Sequence, residues 1–111
     1  MSLRCGWRSA GSAPSPGGRD APSGRGVQVA ELHAPFTHQE ILLREALGLG
    51  DGVTVNPSGG ALCGNPMFAA GLARIGTAAQ TVMSGRAGRA LGHATSGPAL
   101  QQNLVCVMEG R

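Results

Sequence analysis

Near the end of the chain, Leu104, Val105, Cys106, Val107 and Met108 follow one another without a polar residue. Successive side chains of a strand point to opposite faces, so a strand with this composition is covered on both sides. An earlier segment, MFAAGLARIGTAAQTVMSG, places Met67, Ala70, Gly71, Ile75, Ala78 and Val82 near helical spacing on one side. Gly71 and the alanines make that side thin, able to approach another backbone closely. A doubly buried strand beside a helix of this kind predicts an α/β arrangement.

The remaining elements fit that frame. VQVAEL, with Val27 and Val29 alternating, reads as a short strand, and HAPF as a turn. THQEILLREALGLG predicts a helix. Thr37 stands at its cap, Glu40 at the capping-box spacing, and Gly48 and Gly50 at its stop. Ile41, Leu42 and Leu47 give it a partly apolar face. DGVTVN reads as a turn and a brief strand. The second helix is expected to open with Asn65 as cap and Pro66 in its first turn and to run to Gly85. RAGRALGHATSG reads as a strand and loop, with His93 in the loop, and ALQQNLVCVME as the last strand. The expected order is β-α-β-α-β-β.

Such a core has little to work with. The 111 residues include 19 glycines and no Tyr, one Trp and two Phe, so Ala, Val, Leu, Ile and Met must fill it. Chains of this size bury only about two thirds of their unfolded surface. A lean core predicts help from a partner surface.

Residues 1–26 have a different character. They are rich in Gly, Ser, Pro, Ala and Arg, offer almost nothing to bury, and are expected to stay unstructured, with a domain over 27–111. All nine basic residues are Arg. Four of them against Asp20 give the tail 4 − 1 = +3, while the rest balances at 5 − 5 = 0. No basic face interleaved with aromatics remains for a nucleic acid. No apolar run approaches the ~18 residues of a membrane span, and the start lacks the apolar stretch of a secretory signal. Cysteines at 5, 63 and 106, odd in number and without CxxC spacing, argue against a disulfide framework or a zinc site and for a reducing, cytoplasmic setting. Cys106 is expected to serve packing.

The stretch NPSGGALCGNP, 56–66, is the chemical focus. A glycine-rich turn feeding a helix gathers unpaired N–H groups at the positive end of a dipole, a setting for an anion or a developing oxyanion. It contains neither GxxxxGK[ST] nor GxGxxG, which argues against a nucleotide. Cys63 sits beside that positive end, with His33 and His93 as candidate bases. Isolated cysteines are more often small apolar residues. His38 reads as a surface residue of the first helix.

Four segments in order, AELHAPFTHQE, NPSGGALCGNP, MFAAGLARIG and GHATSGPALQQNLVCVMEG, resemble the C-terminal end of thiolases. They are most similar to the lipid-transfer-protein or acetyl-CoA acetyltransferase branch related to the sterol-carrier-protein thiolases. The resemblance covers roughly 27–111. It implies a C-terminal half-domain of a five-layered α-β-α-β-α fold, and a coenzyme A thioester as substrate with no bound cofactor or metal. It implies acyl transfer in lipid or sterol side-chain metabolism. His33 and Phe36 match the ends of the family's His-Asp-x-Phe motif, with Ala34 in place of the acid. Asn56, Gly59, Gly60, Gly64 and Pro66 match its Gly-His-Pro loop, with Asn65 where the His would stand. The acid/base Cys position falls on His93 or on Ala99, depending on the alignment. The resemblance thus implies Asn65, His93 and His33 as catalytic candidates, and Gly59, Gly60, Gly64 and Phe36 as substrate-binding ones. Asn65 can donate a hydrogen bond but cannot take a proton at neutral pH, so ordinary condensation is not expected. Cys63 matches neither thiolase cysteine. The nucleophile-bearing first half has no counterpart here. The expected partners are therefore acyl-CoA, a thiolase N-terminal half or second subunit, and a second copy in a homodimer. A remnant that binds lipid, acyl-CoA or a partner without catalysis is the alternative.

Overall fold

The computed structural model describes residues 2–9, 24–97 and 101–110, with the backbone alone for 4–9. Five strands form one mixed sheet in the order β1-β5-β4-β2-β3. They are β1 (Ser2–Ser9), β2 (Val29–Glu31), β3 (Thr54–Val55), β4 (Arg89–Ser96) and β5 (Gln102–Glu109). β3, β2 and β4 run parallel, while β4, β5 and β1 alternate in direction. The helices are α1 (Thr37–Ala46), the single turn α2 (Gly60–Cys63) and α3 (Ala70–Met83), the last preceded by a 3-10 turn, Met67–Ala69. From residue 27 onward the main elements follow the expected β-α-β-α-β-β order.

The expected alternation in the last strand is the organising fact of the core. Val105 and Val107 face one cluster with Ala30, Leu32 and Leu91, and Leu43 and Leu47 pack on it from the α1 side. Cys106 and Met108 face a second cluster with Ala78 and Val82 of α3 and Ala90 of β4. Both sheet faces are covered, so the sheet itself leaves no open apolar face for the partner surface that the lean core predicts. Large apolar side chains instead lie exposed on the helical layers, among them Phe68, Leu72 and Ile41.

α3 packs as closely as its composition predicts. A Cβ on Gly92 of β4 would lie 2.8 Å from the Ile75 Cα. One on Gly71 would lie 2.5 Å from the Ala94 Cβ. The helix ends in a Schellman motif: Gly85, at φ +73°, donates to Val82, and Arg86 donates to Thr81.

Several expectations shift. Phe36, not Thr37, is the N-cap of α1, and Gln39 Oε1 accepts from Phe36 N at 3.2 Å. That frees Glu40 for a longer-range bond described below. Asn65 does not cap the second helix. Met67 adopts a positive φ of 48°, which interrupts the turn, and α3 begins at Ala70. His93 lies inside β4, not in a loop. The unstructured tail expected through residue 26 falls largely on 10–23, outside the described residues, but Ser2–Ser9 pair with β5 across the register Cys5↔Cys106. The polar, glycine-containing SLRCGWRS carries no strand signal, since ladder pairing at an open sheet edge is made by main-chain groups that every residue has. Cys106 is buried and disulfide-bonded, against the expectation of reduced thiols, while Cys63 is free and exposed. Among the described residues no helix is long and apolar enough to cross a membrane.

Candidate functional site

In open α/β sheets, ligands bind beyond the carboxyl ends of parallel strands. Here that end is built by the residues that follow β2 and β3 and by the second half of β4. Two structures meet there, a fixed loop and an open cleft.

The loop is the 56–60 part of NPSGGALCGNP. Asn56 takes a positive φ of 51°, which lets its side chain bridge two elements. Its Oδ1 accepts from Leu32 N at 2.7 Å and its Nδ2 donates to Glu40 Oε2 at 3.0 Å. Ser58 donates to the fully buried Glu31 carboxylate twice, from N at 3.1 Å and from Oγ at 2.7 Å. Arg74 Nη1 completes the group, 3.0 Å from Ser58 Oγ and 3.5 Å from Glu31 Oε2. Gly60 N donates to Ser58 Oγ and Gly59 N to the Asn56 carbonyl. The N–H groups of Ser58, Gly59 and Gly60 are therefore already engaged, and the one that meets a carboxylate, Ser58 N, meets the protein's own Glu31. Gly59, at φ +91°, also lets Cys63 fold back, since a Cβ there would lie 2.8 Å from its Sγ. The loop works as a brace between β2, α1 and α3.

The cleft, about 300 Å³, opens between α1 and the sheet. Leu42, Leu43 and Ala46 of α1 form an aliphatic wall, and His33, His93, Thr95 and Asn103 form the polar side. His33 stands just past β2, where its Nδ1 accepts the Thr95 N–H at 3.4 Å in place of a strand carbonyl. Burial, and then the nearby Arg74 charge, lower its pKa from the ordinary 6.5. His93 is 1% exposed, and its Nε2 lies 2.9 Å from Asn103 Oδ1. Burial lowers its pKa too, the Asn103 bond opposes that shift, and the charge on His33 adds to it. Both rings are thus held toward the neutral form, suited to accepting or relaying a proton near neutral pH. Among the described residues, His93 Nδ1 is buried without a hydrogen-bond partner.

The structure brings two of the expected catalytic residues, His33 and His93, to one cleft and leaves the third outside it. Asn65 is exposed and does not line the cleft. Phe36 is 58% exposed and stacks on His38, with ring centroids 5.9 Å apart. Gly59, Gly60 and Gly64 belong to the brace and its exit, not to the cleft wall. Ala99, the other position for the acid/base Cys, lies outside the described residues. Among the described residues no group of three or more His, Cys, Asp or Glu could hold a metal ion. No family model, curated protein or solved structure matches the chain.

Sequence reading missed Asn103, although a signal was present. β5 alternates, so Asn103 shares its register face with the buried Val105 and Val107. A polar residue at an inward position of a buried strand marks a partner or a site.

Proposed function

We propose that the chain acts as the C-terminal part of a thiolase-like acyl-CoA acyltransferase, with the cleft receiving the acyl group. The observation that supports this is the convergence of two neutral imidazoles, His33 and His93, beside an aliphatic wall at the carboxyl ends of parallel strands. An acyl chain would lie along Leu42, Leu43 and Ala46, with its carbonyl at the histidines. His33 and His93 then hold or move protons, and Asn65, away from the cleft, is left out of the machinery. Among the described residues no cysteine lines the cleft, so in this reading the nucleophile comes from a partner half. Leu62, Met67, Phe68 and Leu72, all at least half exposed, offer apolar surface for such a partner. The same lack of a nucleophile favours the second reading, in which the chain binds an acyl group and transfers nothing. The disulfide at Cys106 runs against a cytoplasmic location, so the proposal names no compartment.

Calorimetric titration of the full chain with decanoyl-CoA and with free CoA tests the binding. Decanoyl-CoA is expected to bind at least tenfold more tightly, and Leu42→Ser to erase most of the difference. Equal binding of the two, or binding of neither, refutes both readings. Free CoA released on adding the first half of a full-length thiolase-like protein distinguishes transfer from binding alone.

A further inference from the structure

The two cleft histidines have fixed and opposite hydrogen-bonding roles. Because Thr95 N donates to His33 Nδ1, the proton of the neutral ring sits on Nε2, which is a donor. Because an amide oxygen only accepts, the Asn103 Oδ1 contact places the His93 proton on Nε2. The lone pair of His93 is then on Nδ1, the buried nitrogen without a partner. The cleft lining therefore includes one ring whose second nitrogen is a donor and one whose second nitrogen is a buried, unfilled acceptor. Burial supports the neutral state of both rings.

We propose that the cleft recognises a carbonyl paired with a hydrogen-bond donor. The carbonyl accepts from His33 Nε2–H, and the donor satisfies His93 Nδ1. This rests on the acyl reading of the cleft and sharpens it. In acyl transfer the thioester carbonyl fills the first role and the S–H or O–H of the acceptor fills the second. A primary amide presents both in one neutral molecule. A ketone lacks the donor, and a carboxylate turns a lone pair toward a lone pair. A cleft of about 300 Å³ holds about ten non-hydrogen groups at roughly 30 Å³ each, which sets the probe size.

The probes are octanamide, nonan-2-one and octanoate, each with ten non-hydrogen atoms, titrated into the full chain at pH 7.5. Leaving a buried acceptor unsatisfied is costly, so octanamide is expected to bind about fivefold or more tightly than either of the others. Asn103→Leu, which frees the His93 tautomer, is expected to remove that preference. A two-bond proton–nitrogen spectrum of the unmodified chain reads the tautomers without any variant, and both rings are expected to carry the proton on Nε2. Octanamide and nonan-2-one binding within twofold of each other, or a His93 proton on Nδ1, overturns the donor–acceptor assignment and leaves the acyl cleft standing. Binding of none of the three refutes the cleft as an acyl site, and this inference with it.

Discussion

On the α3 side of the sheet, Ala70, Ala78 and Val82 are buried, two glycine contacts bring backbones together, and Arg74 closes a buried ion pair. On the α1 side no helical residue is fully buried, Ile41 and Leu42 are mostly exposed, and a cleft separates the helix from two histidines. The sheet is the same, and both of its faces are apolar through Val107 and Met108. The difference comes from side-chain size at the contact. Small residues let α3 settle onto the strands, whereas α1 rests on Leu43 and Leu47 and stands off beyond them. Stability should therefore be concentrated on the α3 side, and ligand chemistry on the α1 side.

The largest expected effect breaks the α3 side. Glu31 has no exposed surface, and Arg74 is the cation beside it. Removing one partner of a buried pair costs about 3–5 kcal/mol, because the other charge stays behind. Arg74→Met should lower the urea-unfolding free energy by that order, and adding Glu31→Leu should restore much of it. A loss under about 1 kcal/mol for Arg74→Met would mean that the two Ser58 donors suffice for Glu31, and that the brace does not depend on α3.

A lesser loss is expected from Gly92→Val. Its first side-chain carbon meets backbone, the Ile75 Cα at 2.8 Å, which cannot rotate away. Overpacking of this kind costs about 1–3 kcal/mol, measured by the same unfolding experiment. A neutral result would show that α3 floats on the sheet much as α1 does, and the contrast between the faces would fail.

The sequence made these two sides unequally legible. Period and residue size are local properties, so Ala78, Val82 and the thin face around Gly71 could be read directly. So could the two-sided strand. Caps were less legible, because Phe36 and Ala69 hold those positions without a side-chain cap and no residue type announces them. His33 and His93 are expected together as candidate bases, from residue type and again from the family resemblance, but the sequence reading puts His93 in a loop. Its flanking Gly92 and Ser96 suggested a turn, when Gly92 is there for the approach of Ile75. The Glu31–Ser58–Arg74 group and the His93–Asn103 contact were not legible. They join residues that lie far apart in the chain, whose meeting depends on strand register and loop conformation. The same holds for Ser2–Ser9, whose pairing with β5 depends on a register between distant parts of the chain.

The smallest effect belongs to the α1 side and is read with pH. Both His33 and His93 have pKa values lowered by burial from the ordinary 6.5. Above that value the folded and unfolded chains are equally neutral at these rings, and the histidines leave stability unchanged with pH. Below it the unfolded chain binds protons that the folded chain resists, so stability falls as pH falls from 6.5 toward the lower folded values. The Arg74 charge adds to this by opposing protonation of His33. The melting temperature should hold steady from pH 8 to 7 and then decline toward pH 5.5. The double variant His33→Gln, His93→Gln should flatten that decline, whereas Gly92→Val should lower the whole curve without changing its shape. A melting temperature that rises on acidification would mean that the two rings are charged in the folded protein, and the neutral donor and acceptor assigned to the cleft would both be wrong.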